Sequence, residues 1–300
     1  MVINSSSPPK SKKAMAKELG VSRQSLYYKP KMNAKDLKFK IEIEKMMIKH
    51  KAYGHKRIAW ALNANKKKVL RIMKLFNLKP RRRRRILFKP EDANQAPANI
   101  PNLIKGITAE AQNHIWVADF TYLPYFGRFV YLATVEDLFT RQVIGWQVSI
   151  KHDTDLIMQA MFKALEGHNV PKIAHSDQGS EYTSKNYLNF LKSSDIQASM
   201  SDKGSPWQNG SQESFYSNFK LELGHPQCYP TLGELIEAIA EQIRYYNNDR
   251  IHSAFKCAPA VFAQKCALRQ SIVNAKMEFE NVSILSELCR TIFIQQKNQQ

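Results

Sequence analysis

The chain has 300 residues, of which 45 are Lys or Arg and 26 Asp or Glu, for a formal net charge of +19. Its 43% hydrophobic and 10% aromatic content excludes a wholly disordered chain, and no apolar run approaches the roughly 18 residues that a membrane span needs. The charge is uneven: residues 1–100 hold 27 Lys and Arg against 6 Asp and Glu, and the remaining two thirds are near neutral. A basic binding module joined to a near-neutral globular domain is the expectation, with nucleic acid or an acidic membrane surface as the candidate polyanion. The start, MVINSSSPPKSKK, lacks the apolar stretch of a secretory signal. The four cysteines form no CxxC pair, which points to a reduced cytoplasmic setting.

Residues 12–28 read as a helix-turn-helix, with Ala16 as the small residue, Gly20 at the turn, Ser22 as a cap and Leu26 in the core. Arg23, Gln24 and Tyr27 would then face a DNA groove. A second block follows. In LKFKIEIEKMMIKH, Leu37, Ile41, Met46 and Ile48 recur at helical spacing. Tyr53-Gly54 breaks the chain before a helix that faces inward with Ile58, Ala59 and Leu62. In KKKVLRIMKLFNL, Val69, Ile72, Met73 and Phe76 face inward and Lys66, Lys67, Lys68, Arg71 and Lys74 outward. Cationic runs on successive helices favour phosphate binding, with Lys56, Arg57, Lys67, Lys68 and Arg71 as candidates. Arg81 to Arg85 are five consecutive arginines that need phosphates to become ordered; Arg81, Arg82 and Arg83 join the DNA-binding candidates. A Pro-, Asn- and Ala-rich stretch within 90–107 reads as a linker.

From residue 113 the pattern turns to strands: NHIWVADFTYL, RFVYLATVEDL and RQVIGWQVSI on short turns, an antiparallel meander. A helix in DTDLIMQAMFKAL, a strand at KIAH, a helix around Tyr187 and Leu191, and a strand ending at Met200 come next. Ser205-Pro206 offers a cap and first-turn proline for a helix running to about Leu221. The order βββαβαβα predicts an α/β (α+β) mixed sheet of ribonuclease-H-like type.

The carboxylates then acquire a chemical sense. Asp119 interrupts an apolar strand, where a lone charge costs several kcal/mol unless paired or metal-bound. Asp177 follows a strand end, and Glu213 lies on the later helix with 35 residues between them. Three hard oxygen donors from separate elements suit one or two Mg²⁺ ions. Asp137 and Glu181 are competing acids that read as turn or surface residues.

At these residues the sequence resembles the DDE transposases of bacterial insertion sequences, of the second-frame (OrfB) type with a retroviral-integrase-like core. The matching segments are YGHKRI…RIMKLFNL, WVADFTYL, YLATVEDLFTRQVIGW, HSDQGSEYTS, SMSDKGSPWQNGSQESF and YYNNDRIH, within about 12–267. The resemblance implies metal ligation by Asp119, Asp177 and Glu213, using Mg²⁺ or Mn²⁺, as two ions. It implies a DNA-positioning role for Lys220, which lies seven residues and about two turns beyond Glu213 on one helix face. His175 and Asn209 support the site. Gln208-Asn209-Gly210 stands where Asp-Asn-Ala is commoner in the family.

The organisation expected is a helix-turn-helix (1–32), a helical DNA-binding module (33–89), a linker (90–107), an integrase core with its C-terminal helix (108–267) and an extension of unassigned role (268–300). That C-terminal helix, TLGELIEAIAEQIRYYNN, starts at a Thr231…Glu234 capping box; Arg250 and His252 after it read as packing or DNA-end contacts. The implied activity is metal-dependent strand cleavage and transfer on element ends and target DNA, by a homo-oligomer, with a first-frame partner protein possible, in a bacterial cytoplasm at the nucleoid. Two other readings stay open: a nuclease or resolvase with the same core, and a DNA-binding regulator with an unused core. The two N-terminal binding blocks weigh against the first, and the intact acid triad against the second.

Overall fold

The computed structural model describes residues 11–27, 33–81, 100–202 and 209–274. Strands β1 (Ile115–Tyr125), β2 (Arg128–Asp137) and β3 (Val143–Ser149) form the antiparallel meander, and β4 (Ile173–Ser176) and β5 (Gln197–Met200) run parallel to β1. The sheet order is β3-β2-β1-β4-β5, the ribonuclease-H-like arrangement expected from the sequence. The β1–β2 hairpin turns on two residues, Phe126 (φ 39°) and Gly127 (φ 77°), and two positive φ values match the right-handed strand twist.

One face of the sheet is covered by α5 (Thr154–Gly167) and α6 (Lys185–Ser193), whose Leu156, Ile157, Ala160, Met161, Tyr187 and Leu191 pack on Trp116, Ala118, Ala133 and Val135. Gly145 sets how close α5 comes: a Cβ there would strike the Ala160 carbonyl oxygen and lie 2.8 Å from the Ala164 Cβ. The other face is covered by α7 (Gly210–Leu223) and α8 (Leu232–Asn248), which enclose Leu123, Tyr125, Val130 and Leu132 with Phe215, Phe219, Leu235 and Ile239. The Thr231 hydroxyl accepts from the Glu234 amide at 3.2 Å, the first half of the expected capping box. Asp137 corrects the expectation of a turn or surface residue: it ends β2 opposite Trp116 and is fully buried, and its carboxylate accepts from Thr140 N, Thr140 Oγ1 and Asn113 N at 2.7–2.8 Å.

The basic third is helical. In α1 (Lys12–Glu18), Ala16 is buried, and Gly20 adopts a φ of 63° at the turn. The second helix of the expected pair is a single 3-10 turn, Arg23–Tyr27, and Leu26 is only half-buried. Then come α2 (Asn33–Lys49), α3 (His55–Ala61) and α4 (Lys66–Leu75). The inward faces of α3 and α4 are the expected ones, with Ile58, Ala59, Val69, Ile72 and Met73 buried. The expected face of α2 is corrected in part: Met46 packs on the core, but Leu37, Ile41 and Ile48 are exposed, and Phe39 and Ile43 enter the core instead. Phe39, Ile43, Met46 and Met47 make the inward stripe at helical spacing, and Asp36 shares it, with Arg71 of α4 binding both its oxygens at 2.8 and 2.9 Å.

This module is docked on the chain after α8. Tyr53 Oη accepts from the Ile251 amide at 2.6 Å, and Arg57 Nε donates to the Ile251 carbonyl at 3.0 Å. His50 Nδ1 lies 2.8 Å from Tyr245 Oη, and Lys49 pairs with Asp249 at 3.2 Å. Burial holds the His50 ring neutral, pushing it down to about 4. Arg250 is buried and bonds Glu222 of α7 at 2.8 and 3.0 Å, which makes its role packing. A last helix, α9, spans 259–274, with Leu268, Ile272 and Val273 exposed. Arg82 and Arg83, most of the expected linker, the Ser205-Pro206 cap and the apolar patches beyond residue 274 lie outside the described residues.

Candidate active site

Asp119 sits mid-way along β1, Asp177 just past the end of β4, and Glu213 in the first turn of α7. β4 pairs with β1 only through Ile115, Trp116 and Val117. From Ala118 onward that edge of β1 has no strand neighbour among the described residues, so the Asp119 region opens where the sheet ends. The Asp119 carboxyl is pushed well above the usual carboxylate range, first by desolvation, then by the negative charge of Asp177, with a smaller push from Glu213. The Phe120 amide, 2.8 Å from Oδ1, and the Lys220 ammonium oppose the rise. Acids 119, 177 and 213 thus share one electrostatic field. They do not close on a common point: among the described residues no three Asp, Glu, His or Cys side chains converge closely enough to hold an ion.

Asp177 is oriented by its own loop, where Gly179 N donates to Oδ1 at 3.0 Å. A Cβ on Gly179 would lie 3.1 Å from that oxygen and 3.2 Å from Glu181 Oε2, so glycine lets two carboxylates flank one residue. Glu181 lies in a turn, one of the two places expected for it, but is buried rather than on the surface, held by His152 Nδ1 at 2.8 Å and the Ser180 hydroxyl at 3.0 Å. His175 is fully buried, its Nδ1 2.9 Å from Ser199 Oγ, and burial lowers it to about 4. The ring is thus neutral and packed behind the Asp177 loop. Asn209, also buried, precedes the first turn of α7.

The helix bearing Glu213 is fixed to β1 by polar side chains that the sequence reading missed. Gln212 Nε2 donates to the Val117 carbonyl at 2.7 Å, and Tyr216 Oη to the Asp119 carbonyl at 2.6 Å. Thr134 Oγ1, on the strand paired with Asp119, lies 2.8 Å from Tyr216 Oη and donates to Gln212 Oε1 at 3.1 Å. All three residues are buried. Their signal was a pair of polar groups four apart, 212 and 216, on the inward face of an apolar helix. Lys220, one turn further, places its ammonium 4.9 Å from the Tyr122 ring centroid.

The DNA-binding candidates divide. Arg23, Gln24, Tyr27, Lys56, Lys67 and Lys68 are exposed. Arg57 donates to the Ile251 carbonyl, and Arg71, also exposed, forks onto Asp36. Arg81 opens the arginine run with its amide on the Lys51 carbonyl at 3.0 Å.

Among the described residues no helix is long and apolar enough to cross a membrane. Two models of the Integrase core domain match this chain, at residues 109–206 and 194–259. The transposase for insertion sequence element IS904 of Lactococcus lactis subsp. lactis is 36% identical over 224 residues, covering 71% of this chain and 87% of that one. The putative transposase InsK for IS150 of Escherichia coli K12 is 32% identical over 250 residues, covering 79% and 87%. Among solved structures, the HTLV-2 integrase catalytic core domain in complex with magnesium is similar at 21% identity and a TM-score of 0.43, over 50% of this chain and 95% of that one. By the two core matches and the breadth of the transposase alignments, this chain belongs to the integrase-core transposases of bacterial insertion sequences, enzymes that cleave DNA and transfer its strands.

Proposed function

We propose that Asp119, Asp177 and Glu213 are the reaction centre of this transposase. The observation that carries the reading is placement: Asp119 lies on β1 where β4 stops pairing with it, Asp177 just past the end of β4, and Glu213 in the first turn of α7; burial first, then the charges of Asp177 and Glu213, push the Asp119 carboxyl up. Three carboxylates from three elements sit in one field, a repulsive arrangement that cations relieve. The donor chemistry suits hard divalent ions, although the side chains have not closed on a shared point. Two Mg²⁺ or Mn²⁺ ions held there would supply the Lewis acidity for in-line phosphoryl transfer at DNA.

The chain's own groups do the positioning. Lys220 is two turns from Glu213 and offers its ammonium to a phosphate beside the acids. The Gln212–Thr134–Tyr216 cluster fixes α7 to β1, so Glu213 and Asp119 keep their relation as DNA arrives. Lys56, Lys67 and Lys68 present exposed charge for duplex backbone, and Arg23, Gln24 and Tyr27 of the small helical unit add a second contact. The division into residues 1–32, 33–89, 108–267 and a C-terminal extension serves that scheme, with the second unit docked on the third through Ile251. Element ends and target DNA are the substrates, a homo-oligomer the working form, a first-frame product the possible partner, and the bacterial nucleoid the setting.

The test is strand transfer by purified protein on element-end DNA with Mg²⁺. Asp177→Asn and Glu213→Gln should abolish transfer while end binding persists. Unchanged transfer in either variant would sink the assignment.

A further inference from the structure

Beyond the last turn of β1–β2 pairing that α5 covers, the sheet leaves an aromatic face open. Tyr122 and Phe129 are 41% and 48% exposed and meet edge to face at 5.3 Å between ring centroids. Phe129 continues to Tyr131 at 6.5 Å, Tyr131 to His152 at 4.9 Å, and the His152 ring lies nearly parallel to Phe120 at 6.3 Å with 9° between planes. Five rings therefore form one continuous row. The register explains it: Tyr122 is opposite Tyr131, and Phe129 opposite Pro124, so these side chains share one face. Contiguous exposed apolar surface of this kind marks a binding site.

Both ends of the row are tied to the candidate active site. At one end the Lys220 ammonium lies over Tyr122 at 4.9 Å, while its charge also acts on Asp119. At the other, His152 is held by Glu181 in the loop of Asp177. Asp119 and Phe120 are consecutive and face opposite sides of β1, and the edge of β1 between those sides has no strand neighbour among the described residues. A strand leaving the acids can round that edge, and Lys220 already bridges it. Lys151, exposed beside His152, adds positive charge at the margin. Rings interleaved with cations are how proteins hold unpaired nucleotides: each base stacks on a ring, and the cations follow the phosphates.

We propose that the Tyr122–Phe129 face is a stacking platform for unpaired bases of the DNA being processed. The proposal rests on the reaction-centre reading only for what brings DNA there. Base stacking tolerates any sequence, so the platform separates unpaired from paired DNA without reading sequence.

The experiment uses the full chain and two synthetic probes: a blunt duplex, and the same duplex with a ten-nucleotide oligothymidine tail containing 5-iodouracil. The wild type should prefer the tailed probe, and irradiation should cross-link the tail to Tyr122 or Phe129. Tyr122→Ala with Phe129→Ala should reduce that preference on the order of 5- to 100-fold, leaving blunt-duplex affinity and Tm unchanged. Tyr122→Phe with Phe129→Trp should restore it. Absence of any tail preference in the wild type, an undiminished preference in the double alanine variant, or cross-links only elsewhere would each overturn the proposal. So would a change of oligomeric state in the alanine variant with tail preference intact, which would make the face a contact between copies of this chain. Loss of the reaction-centre reading looks different: strand transfer would survive Asp177→Asn while the tail preference was unaffected.

Discussion

Tyr216 on α7 donates its hydroxyl to the backbone carbonyl of Asp119 at 2.6 Å, so the helix carrying Glu213 is fastened to the strand position carrying the first acid. The bond runs to main chain, which leaves the Asp119 carboxylate available for chemistry. Removing the hydroxyl alone tests the fastening. Tyr216→Phe should cost about 1–2 kcal/mol of stability, since it leaves the Asp119 carbonyl short of a donor. Single-turnover strand transfer should fall by roughly tenfold, the cost of a small misplacement of reacting groups, with end binding in a gel-shift assay unchanged. Transfer at the wild-type rate would reduce the bond to a packing detail.

The buried Arg250–Glu222 pair makes a second, purely structural prediction. Both residues are almost fully enclosed, and Glu222 also accepts from Gln242 at 3.0 Å. Arg250→Met strands a carboxylate in the core and should lower stability by about 3–5 kcal/mol, read from urea midpoints. Glu222→Leu added to Arg250→Met should recover most of that loss, because an apolar pair of similar volume removes the uncompensated charge. A double variant as unstable as the single one would show that the hydrogen-bond geometry, not the stranded charge, sets the cost.

Much of the core was legible because strand alternation, the βββαβαβα order and the placement of Asp119, Asp177 and Glu213 are written in local pattern. What was not legible depended on distant partners. Asp36 lies on the buried stripe of α2 with Arg71, 35 residues away, as its partner, and no count of apolar spacing contains that contact. Glu181 reads as a turn or surface acid, and its burial shows only once His152, from a distant segment, is folded against it. The docking of the basic module on Ile251 joins residues almost 200 apart, a contact that no local pattern marks.

Glu136 carries a pH prediction. It is buried on β2, 3.5 Å from Arg141, and burial raises it from 4.5 to about 7, partly offset by the Arg141 charge. A carboxylate raised on folding binds its proton more tightly in the native state, so its contribution to stability is present at low pH and lost as pH rises from about 4.5 through about 7. Glu136→Gln keeps the shape and removes the titration. The variant should gain stability on the wild type as pH rises from 5 to 8, by up to about 3 kcal/mol. The comparison is the difference in urea midpoint at the two pH values; a difference independent of pH would contradict the sign.

The basic module offers a contrast between two cations on one helix. Lys67 is exposed on α4, whereas Arg71 on the same helix forks onto the buried Asp36. Lys67→Ala should weaken duplex binding across sequences and reduce the slope of log affinity against log salt by about 0.9, the release of one counterion's worth of phosphate contact. Its unfolding midpoint should not move. Arg71→Ala should do the reverse: the midpoint falls, because Asp36 stays buried without its partner, and under conditions where the variant remains folded the salt slope stays at the wild-type value. Arg71→Lys should not rescue the midpoint fully, since an ammonium cannot reproduce the two-pronged contact to both carboxylate oxygens. If instead Arg71→Ala lowered the salt slope as Lys67→Ala does, with the midpoint untouched, the fork would be a resting pose and Arg71 a phosphate ligand.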